Sequence, residues 1–196
     1  MSASSHPLSV PITRLWKMLH APGMERFELL QRAAQWILCG TILHLHQDQP
    51  FEVSYSIRCD PRWHTLSSHI ELRGGSCTRA LQVEVDRGRW IANGKPQPQL
   101  DGCIDIDLGW SPCSNTLPIR RLNLANRADS GPIIAAWVKF PELTLEPLAQ
   151  EYHRISERLY QYSSRGGAFT AKLLVGEHGL VDEYEGFWKR VTSTSE

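Results

Sequence analysis

Two carboxylates, two guanidinium groups and one amide occur within seventeen residues near the middle of the chain. Asp105 and Asp107 alternate with apolar residues in this stretch. Residues two positions apart in a strand point to the same face, so we predict a half-buried strand at Cys103–Leu108 with both carboxyl groups on its polar face. This spacing also fits the lower end of the separation of about 5–10 Å that glycosidase acid/base pairs use.

Arg120 and Arg121 are the basic groups of the same stretch. Neighbouring side chains point in different directions on a helix or a strand, so at least one of the two should face inward and need a partner. Three roles stay open for Asp105 and Asp107: ion pairing with these arginines, binding of ligand hydroxyl groups, and acid/base catalysis.

Pro112 ends the predicted strand, and a short turn or helix is predicted at Thr116–Leu122. Ser114 and Asn115 precede it and have side chains of the type that caps a helix N-terminus. Asn115 and Thr116 therefore have two interpretations, as capping residues or as hydrogen-bonding partners of a polar head group.

Tryptophan is abundant, with seven in the chain. Trp63, Trp90, Trp110 and Trp137 could line a ligand cavity or stack on sugar rings. They could equally be packing residues, because aromatic side chains dominate the burial of apolar area in protein cores.

The cysteines and histidines show no metal-binding pattern. The five cysteines are odd in number and contain no C-x-x-C pair, so we expect free thiols and a reducing, cytoplasmic location. His44 and His46 form an HLH sequence without the spacing of a zinc site. No nucleotide-binding or hydrolase signature occurs, and we expect neither a metal nor a cofactor.

Composition favours an ordinary globular protein. Lys+Arg and Asp+Glu number 21 each, so no net charge would attract nucleic acid, and we expect no nucleic-acid partner. No apolar run is long enough for a membrane span. We predict a flexible arm at residues 1–12, a single domain at 13–191 and a loose tail at 192–196.

Many short alternating segments separated by turn residues predict a largely antiparallel β roll, barrel or sandwich with little helix. Phe51–Cys59 should pair with Trp63–Leu72, and Asn93-Gly94 should form a hairpin turn. Pattern alone favours a helix at Met24–Leu38, whereas Leu148–Tyr160 fits either a helix or strands around a bend.

The chain resembles a bacterial family of glycolipid-binding proteins from about Arg14 to Arg190. The central stretch is the most specific match, although this chain has Trp110-Ser111-Pro112 where related sequences have Phe-Thr-Pro. The matching segments are Tyr55–Trp63, Gly88–Lys95, Leu100–Leu122, Ala135–Leu143, Tyr160–Ser164 and the spacing of Gln150, Tyr152 and Arg154.

This resemblance implies a mainly β fold, an antiparallel spiral β-roll or half-barrel wrapped around a short helix, and it changes the prediction for Met24–Leu38 to strand. It implies a non-enzymatic protein whose partner is a glycolipid or another amphipathic small molecule. The candidate ligand-binding residues are Asp105, Asp107, Asn115, Thr116, Arg120, Arg121, Trp63, Trp110, Trp137 and Tyr152.

Two alternatives stay open. One is a hydrolase that acts on a sugar or lipid ester through Asp105 and Asp107. The other is a structural or protein-interaction domain with a filled core. An enclosed cavity would favour binding, whereas an open cleft between the two carboxylates would favour the enzyme.

Overall fold

A computed structural model describes residues 10–75 and 77–192. Residues 1–9 of the predicted arm and 193–196 of the predicted tail lie outside the described residues. The described chain folds into one sheet of fifteen strands with a short helix, which confirms the mainly β fold. No helix in this part of the chain is long and apolar enough to cross a bilayer.

Fifteen strands and one α-helix make up the regular structure. The first eight strands are β1 (Ile12–Met18), β2 (Gly23–Arg32), β3 (Gln35–His46), β4 (Gln49–Cys59), β5 (Thr65–Gly74), β6 (Cys77–Asp86), β7 (Arg89–Ala92) and β8 (Lys95–Pro96). The remaining strands are β9 (Asp105–Leu108), β10 (Ile133–Val138), β11 (Leu145–Arg154), β12 (Leu159–Ser164), β13 (Phe169–Val175), β14 (Val181–Tyr184) and β15 (Trp188–Arg190). Helix α1 spans Thr116–Leu122.

The strands follow the order β8 to β1 and then β15 to β9 across the sheet. Most consecutive strands pair antiparallel because short turns connect them. β1 also pairs with β15, which joins the two halves of the chain at the centre of the sheet. β9 and β10 are parallel, since the chain between them makes a crossover that contains α1.

Helix α1 lies in the interior and contributes to both hydrophobic cores. Leu117 is fully buried in the larger core together with Ile106 and Leu108 of β9. Ile119 belongs to a smaller core that is rich in tyrosine. The predicted arrangement of strands around a short helix is therefore present.

Several predictions for individual elements are confirmed. β4 pairs antiparallel with β5, as predicted for Phe51–Cys59 and Trp63–Leu72, and Asn93-Gly94 connects β7 to β8. Met24–Leu38 belongs to β2 and β3, so the family resemblance was right and the helical pattern was wrong. The two strands reverse at Ala33 and Ala34, both of which have positive φ. Leu148–Tyr160 also resolves into strand, in parts of β11 and β12.

The predicted polar face of Cys103–Leu108 is wrong. The strand begins only at Asp105, and its carboxyl-bearing face is buried as well as its apolar face. Asp105 is 2% exposed, and Ile106 and Leu108 on the other face are fully buried. The face can be buried because the arginine at the end of α1 reaches back to Asp105 and balances its charge.

The cysteines generate a prediction about thiol reactivity. All five are free, and Cys59, Cys103 and Cys113 are buried. Burial raises the pKa of Cys59 and Cys113, and it raises the pKa of Cys103 to about 11. Since the thiolate is the reactive form, iodoacetamide at about pH 8 should label these three only after unfolding. Mass spectrometry of unfolded, unreduced protein should count five alkylated thiols; a smaller count would contradict the free-thiol assignment.

Candidate ligand-binding site

A cavity of ≈ 330 Å³ lies inside the roll, and residues of both halves of the sheet line it. One wall comes from β1, β3 and β4 and includes the apolar side chains Met18, Ile42 and Val53. The opposite wall comes from β9 to β14 and the segment before α1. It is aromatic and polar, and we call it the polar wall.

Besides Arg165, the polar wall contains one charged side chain, that of Asp107. The Ser114 hydroxyl donates to its Oδ1 at 3.0 Å, and the Gln150 amide donates to its Oδ2 at 2.5 Å. Burial raises the pKa of Asp107 to about 6 against the effect of these two hydrogen bonds. No Lys or Arg of the described residues lies within ion-pair distance of it, so Asp107 is a carboxylate with acceptor capacity that lines the cavity.

Ser111, Asn115 and Ser164 are among the other polar side chains of this wall. The Asn115 amide donates to the Tyr152 hydroxyl at 2.8 Å. Asn115 therefore precedes α1 without capping it, and the prediction of a side-chain cap is wrong. The bond to Tyr152 instead fixes the amide at the cavity wall.

Aromatic side chains form much of the remaining lining. Trp137 is paired in register with Asp107, so the indole and the carboxyl group share one face of the β9–β10 pair. The Arg165 guanidinium lies 5.1 Å from the Trp137 ring centroid, which fits a cation–π contact. Gly109 packs so closely against the indole that a Cβ there would lie 2.3 Å from Trp137 Nε1.

Asp105 and Arg121 form a separate, buried ion pair outside the cavity lining. Arg121 Nε donates to Oδ1 at 3.1 Å and Nη2 donates to Oδ2 at 2.5 Å. The two side chains are 2% and 12% exposed. Both carboxylate oxygens of Asp105 are thus engaged by one guanidinium, and the pair fastens α1 to β9.

Arg120 points elsewhere, as the adjacent positions predicted. Its guanidinium lies 5.2 Å from the Trp63 ring centroid, and Trp63 stacks on Trp36 at 4.6 Å. The hydroxyl of Thr116 is buried and has no hydrogen-bond partner.

The cavity brings together four of the ten predicted ligand-binding residues, Asp107, Trp110, Asn115 and Trp137. The other six lie outside its lining: Asp105, Thr116, Arg120, Arg121, Trp63 and Tyr152. Of the tryptophans considered as cavity or core residues, Trp90 is 1% exposed and belongs to the core. Among residues 10–75 and 77–192, no group of three His, Cys, Asp or Glu side chains could hold a metal ion.

Sequence reasoning missed Glu25, a fully buried carboxyl group on β2. It accepts hydrogen bonds from the Tyr55 hydroxyl and from the Ser111 hydroxyl, the latter at 2.8 Å to both oxygens. Burial raises the pKa of Glu25 to about 8, and the two hydroxyl groups oppose this rise. The alternation of Glu25 with Phe27 and Leu29 was the available signal, because it places all three on the buried face.

Sequence reasoning also missed His44 and His46 as cavity residues, since they were considered only as metal ligands. Both line the cavity, and both rings make edge-type contacts with Phe140. The ring centroid of His44 lies 5.6 Å from that of Phe140, and the ring centroid of His46 lies 5.2 Å from it. No sequence signal could have identified them as inward-facing, because Leu43 and Leu45, the apolar residues that alternate with them along β3, are the ones that are exposed.

The fold is a β-roll that contains a cavity, and the comparison with protein families identifies its family. Residues 13–190 match the model of the family described as "Putative glycolipid-binding". The chain belongs to this family. A comparison with curated proteins finds no match.

Solved structures that resemble the chain include the following two. One is a DUF1089 family protein from Pseudomonas aeruginosa, with 30% identity, a TM-score of 0.76, and coverage of 97% of this chain and 100% of that one. The other is a β-barrel-like protein of DUF1849 from Brucella abortus, with 8% identity, a TM-score of 0.55, and coverage of 95% and 98%. At that identity the second structure shows likeness of fold alone.

The buried pair generates a stability prediction. Replacing Arg121 by Gln leaves the Asp105 carboxylate buried without its cation, which typically costs about 3–5 kcal/mol of unfolding free energy. As a control, Arg26→Gln breaks an exposed ion pair with Glu28, in which the Arg26 side chain is 65% exposed. This change should lower the unfolding free energy by at most about 1 kcal/mol. Urea unfolding measures both; equal losses would contradict the structural role of the buried pair.

Glu25 generates a pH prediction. Its pKa is about 8 in the folded protein against an ordinary value of 4.5, so between these values the folded state binds more protons than the unfolded chain. Its contribution to stability is complete below the lower value and falls as pH rises, by at most about 1.4 kcal/mol per pH unit, until the higher value is passed.

Glu25→Gln removes this titration, so its free energy of unfolding should rise relative to the parent protein as pH rises towards 8. Asp107→Asn is the matched control, because the Asp107 pKa of about 6 confines its effect to lower pH. Urea unfolding across this range would show the difference. Parent and Glu25→Gln curves that stay parallel would rule out the protonated buried carboxyl group.

Proposed function

We propose that this protein binds an amphipathic small molecule, with glycolipids as the ligand class, and that it does not catalyse a reaction. The observation that supports this most is that one cavity combines a few polar groups with extensive apolar surface. Asp107, Asn115 and Ser164 offer hydrogen-bonding groups, while Met18, Ile42 and Val53 offer apolar surface. Binding pockets typically combine a mostly apolar lining with a few convergent polar groups.

The cavity volume suits a part of such a ligand. A volume of ≈ 330 Å³ lies at the lower end of the range of about 300–1,000 Å³ that ligand pockets have. One sugar ring, or a short acyl segment beside a small head group, fits this space. The rest of a longer lipid would extend beyond the cavity.

The same geometry speaks against the two alternatives. A carboxylate pair for sugar hydrolysis needs both groups at the substrate, whereas Asp105 lies outside the cavity lining with both oxygens bound to Arg121. A filled packing domain would leave no cavity of this size lined by a carboxylate. The free cysteines agree with the cytoplasmic location that we propose.

Native mass spectrometry of protein purified from its own host tests the proposal. We expect an added mass that organic extraction releases and that tandem mass spectrometry identifies as an amphipathic lipid. Apoprotein alone, together with no binding of short-chain glycolipids added in solution, would contradict the proposed function.

Asp107→Asn separates binding from folding. The amide keeps the shape of the carboxylate and part of its hydrogen-bonding capacity, but it is neutral and has only one acceptor oxygen. We therefore expect the variant to retain less ligand. Its melting temperature should stay unchanged or rise, because a carboxyl group whose pKa is raised by burial destabilises the fold when ionised. A lower melting temperature with full ligand occupancy would assign Asp107 to structure.

A further inference from the structure

Four basic side chains of the cavity lining lie at the same end of the roll. β1, β3 and β12 run in one direction, because an even number of antiparallel pairings separates them in the sheet. His44 and His46 lie at the C-terminal end of β3, His20 follows β1, and Arg165 follows β12. All four line the cavity, and His20 and Arg165 are exposed to solvent. This end of the roll is therefore the cavity mouth.

These four side chains have no acidic partner in the protein. In the part of the chain that the structure describes, no carboxylate oxygen lies within ion-pair distance of any of them. The contrast is with three histidines outside the cavity lining, each of which lies within 3.2 Å of a carboxylate oxygen: His64, His69 and His153. The cavity mouth thus has basic groups that the protein leaves available to a ligand.

Arg165 is the permanent cation of the mouth. Its guanidinium lies 5.1 Å from the Trp137 ring centroid. The Lys139 ammonium also lies over this ring, at 5.6 Å, but Lys139 is paired with Glu146 at 3.1 Å. A cation–π contact occupies none of the N–H donors of a guanidinium. Arg165 can therefore still hold a carboxylate through two parallel hydrogen bonds.

The three histidines are close enough to act on one another. The ring centroids of His44 and His46 are 5.7 Å apart. Burial lowers the pKa of His44, and the neighbouring His46 and His20 lower it further. Like charges repel, so a bound anion would offset the repulsion between protonated rings. Histidine is the side chain that ordinarily gains a positive charge between about pH 8 and pH 5, so the mouth should become more positive as pH falls.

Asp107 opposes an anion only at higher pH. Both of its oxygens accept hydrogen bonds, from Ser114 and Gln150. Burial raises the pKa of Asp107 to about 6, so this carboxylate loses its charge as pH falls from about 7.5 to about 5.5. The change in Asp107 and the protonation of the histidines therefore shift the cavity charge in the same direction.

Three other titratable groups at the cavity keep their protons over this range. Tyr162 and Tyr184 stay neutral, because burial raises the pKa of both. Glu25 lies behind the lining and stays largely protonated, because burial raises its pKa to about 8. Asp48 and Glu142 are exposed in the neighbouring turns, outside the cavity lining, where salt screens their charges.

We propose that Arg165, His20 and His46 form a subsite at the cavity mouth for the acidic group of an anionic amphiphile, and that its binding tightens as pH falls. Arg165 supplies a permanent charge with free N–H donors, and the histidines add charge at lower pH. Apolar side chains of the same cavity, such as Ile42 and Val53, accommodate the chain of the ligand. This inference rests on the proposed function and narrows it to ligands that carry an acidic group.

The test uses two detergents that differ in one group. They are n-octyl β-D-glucoside and n-octyl β-D-glucuronide, which carry a CH₂OH group and a carboxylate at the same ring position. Carboxyl groups ordinarily ionise near pH 4, so the glucuronide is an anion at both about pH 5.5 and about pH 7.5. Isothermal titration calorimetry below the critical micelle concentrations, in about 0.15 M salt, measures both affinities.

The parent protein should bind the glucuronide at least about fivefold more tightly than the glucoside at about pH 5.5. At about pH 7.5 this ratio should be at least about twofold smaller, because the histidines have lost charge and Asp107 has gained it.

Variants locate the preference. Arg165→Gln removes the permanent cation and should weaken glucuronide binding by about three- to tenfold while leaving glucoside binding almost unchanged. The double variant His20→Gln and His46→Gln should reduce the gain at lower pH. Arg89→Gln is the matched control, because Arg89 is an exposed arginine outside the lining, at the start of β7 and hence at the opposite end of the roll. It should change neither affinity.

The possible failures are distinguishable. Equal binding of the two detergents by the parent protein at about pH 5.5 would overturn the anion subsite and leave the amphipathic-ligand proposal standing, and this comparison needs no variant to fold. Equal losses for both detergents in Arg165→Gln, or equal losses in Arg165→Gln and Arg89→Gln, would also overturn the subsite. A preference that does not change with pH would overturn the part assigned to the histidines. Binding of neither detergent would overturn the proposed function and the subsite together.

Discussion

The structure depends on hydrogen bonds and ion pairs for the buried polar groups of one segment, residues 105–122, which the roll encloses. Burying a strand end, two short helical turns and several ionisable side chains is affordable only if each polar group finds a partner inside. Arg121 does this for Asp105, and Ser111 does it for Glu25. The Thr65 hydroxyl oxygen accepts a hydrogen bond from the Ile106 backbone N–H at 3.0 Å, which connects the segment to β5. These contacts hold the segment between the two halves of the sheet.

The cavity follows from this arrangement. The enclosed segment fills part of the roll with Leu108, Cys113 and Leu117, which all belong to the larger core. Beside it, the inner faces of the two sheet halves do not meet, and Asp107 and Asn115 of the same segment line the space that is left. The interactions that stabilise the fold and the groups available to a ligand thus come from neighbouring positions of one stretch of chain.

The contrast between Asp105 and Asp107 shows what sequence reasoning can reach. Spacing predicted correctly that both side chains share a face, and that one of the two adjacent arginines would turn inward. It could not decide which carboxylate Arg121 pairs with, because that depends on where the end of α1 comes to lie against β9. The helix bounds agree with the prediction, although its capping argument was wrong, since Ser114 hydrogen-bonds Asp107 and Asn115 hydrogen-bonds Tyr152.

Longer-range contacts explain the remaining differences. Met24–Leu38 has apolar residues at both helical and strand spacing, and its strand structure is fixed by pairing of β2 with β1 and β3. Glu25 and His44 have polar side chains that composition assigns to the surface, yet their positions in register turn them inward. The alternation of Glu25 with Phe27 and Leu29 gave a signal in the sequence, whereas the inward position of His44 becomes visible only when its sheet partners are known.

A crystal structure of the protein with n-octyl β-D-glucoside would test the central claim most directly, namely that the cavity between the two sheet halves is the ligand site. The account predicts the glucosyl ring inside the cavity, with hydroxyl contacts to polar-wall residues such as Asp107 and the start of the octyl chain against Ile42 and Val53. Detergent bound only to the outer surface, with the cavity filled by water at saturating detergent, would contradict it.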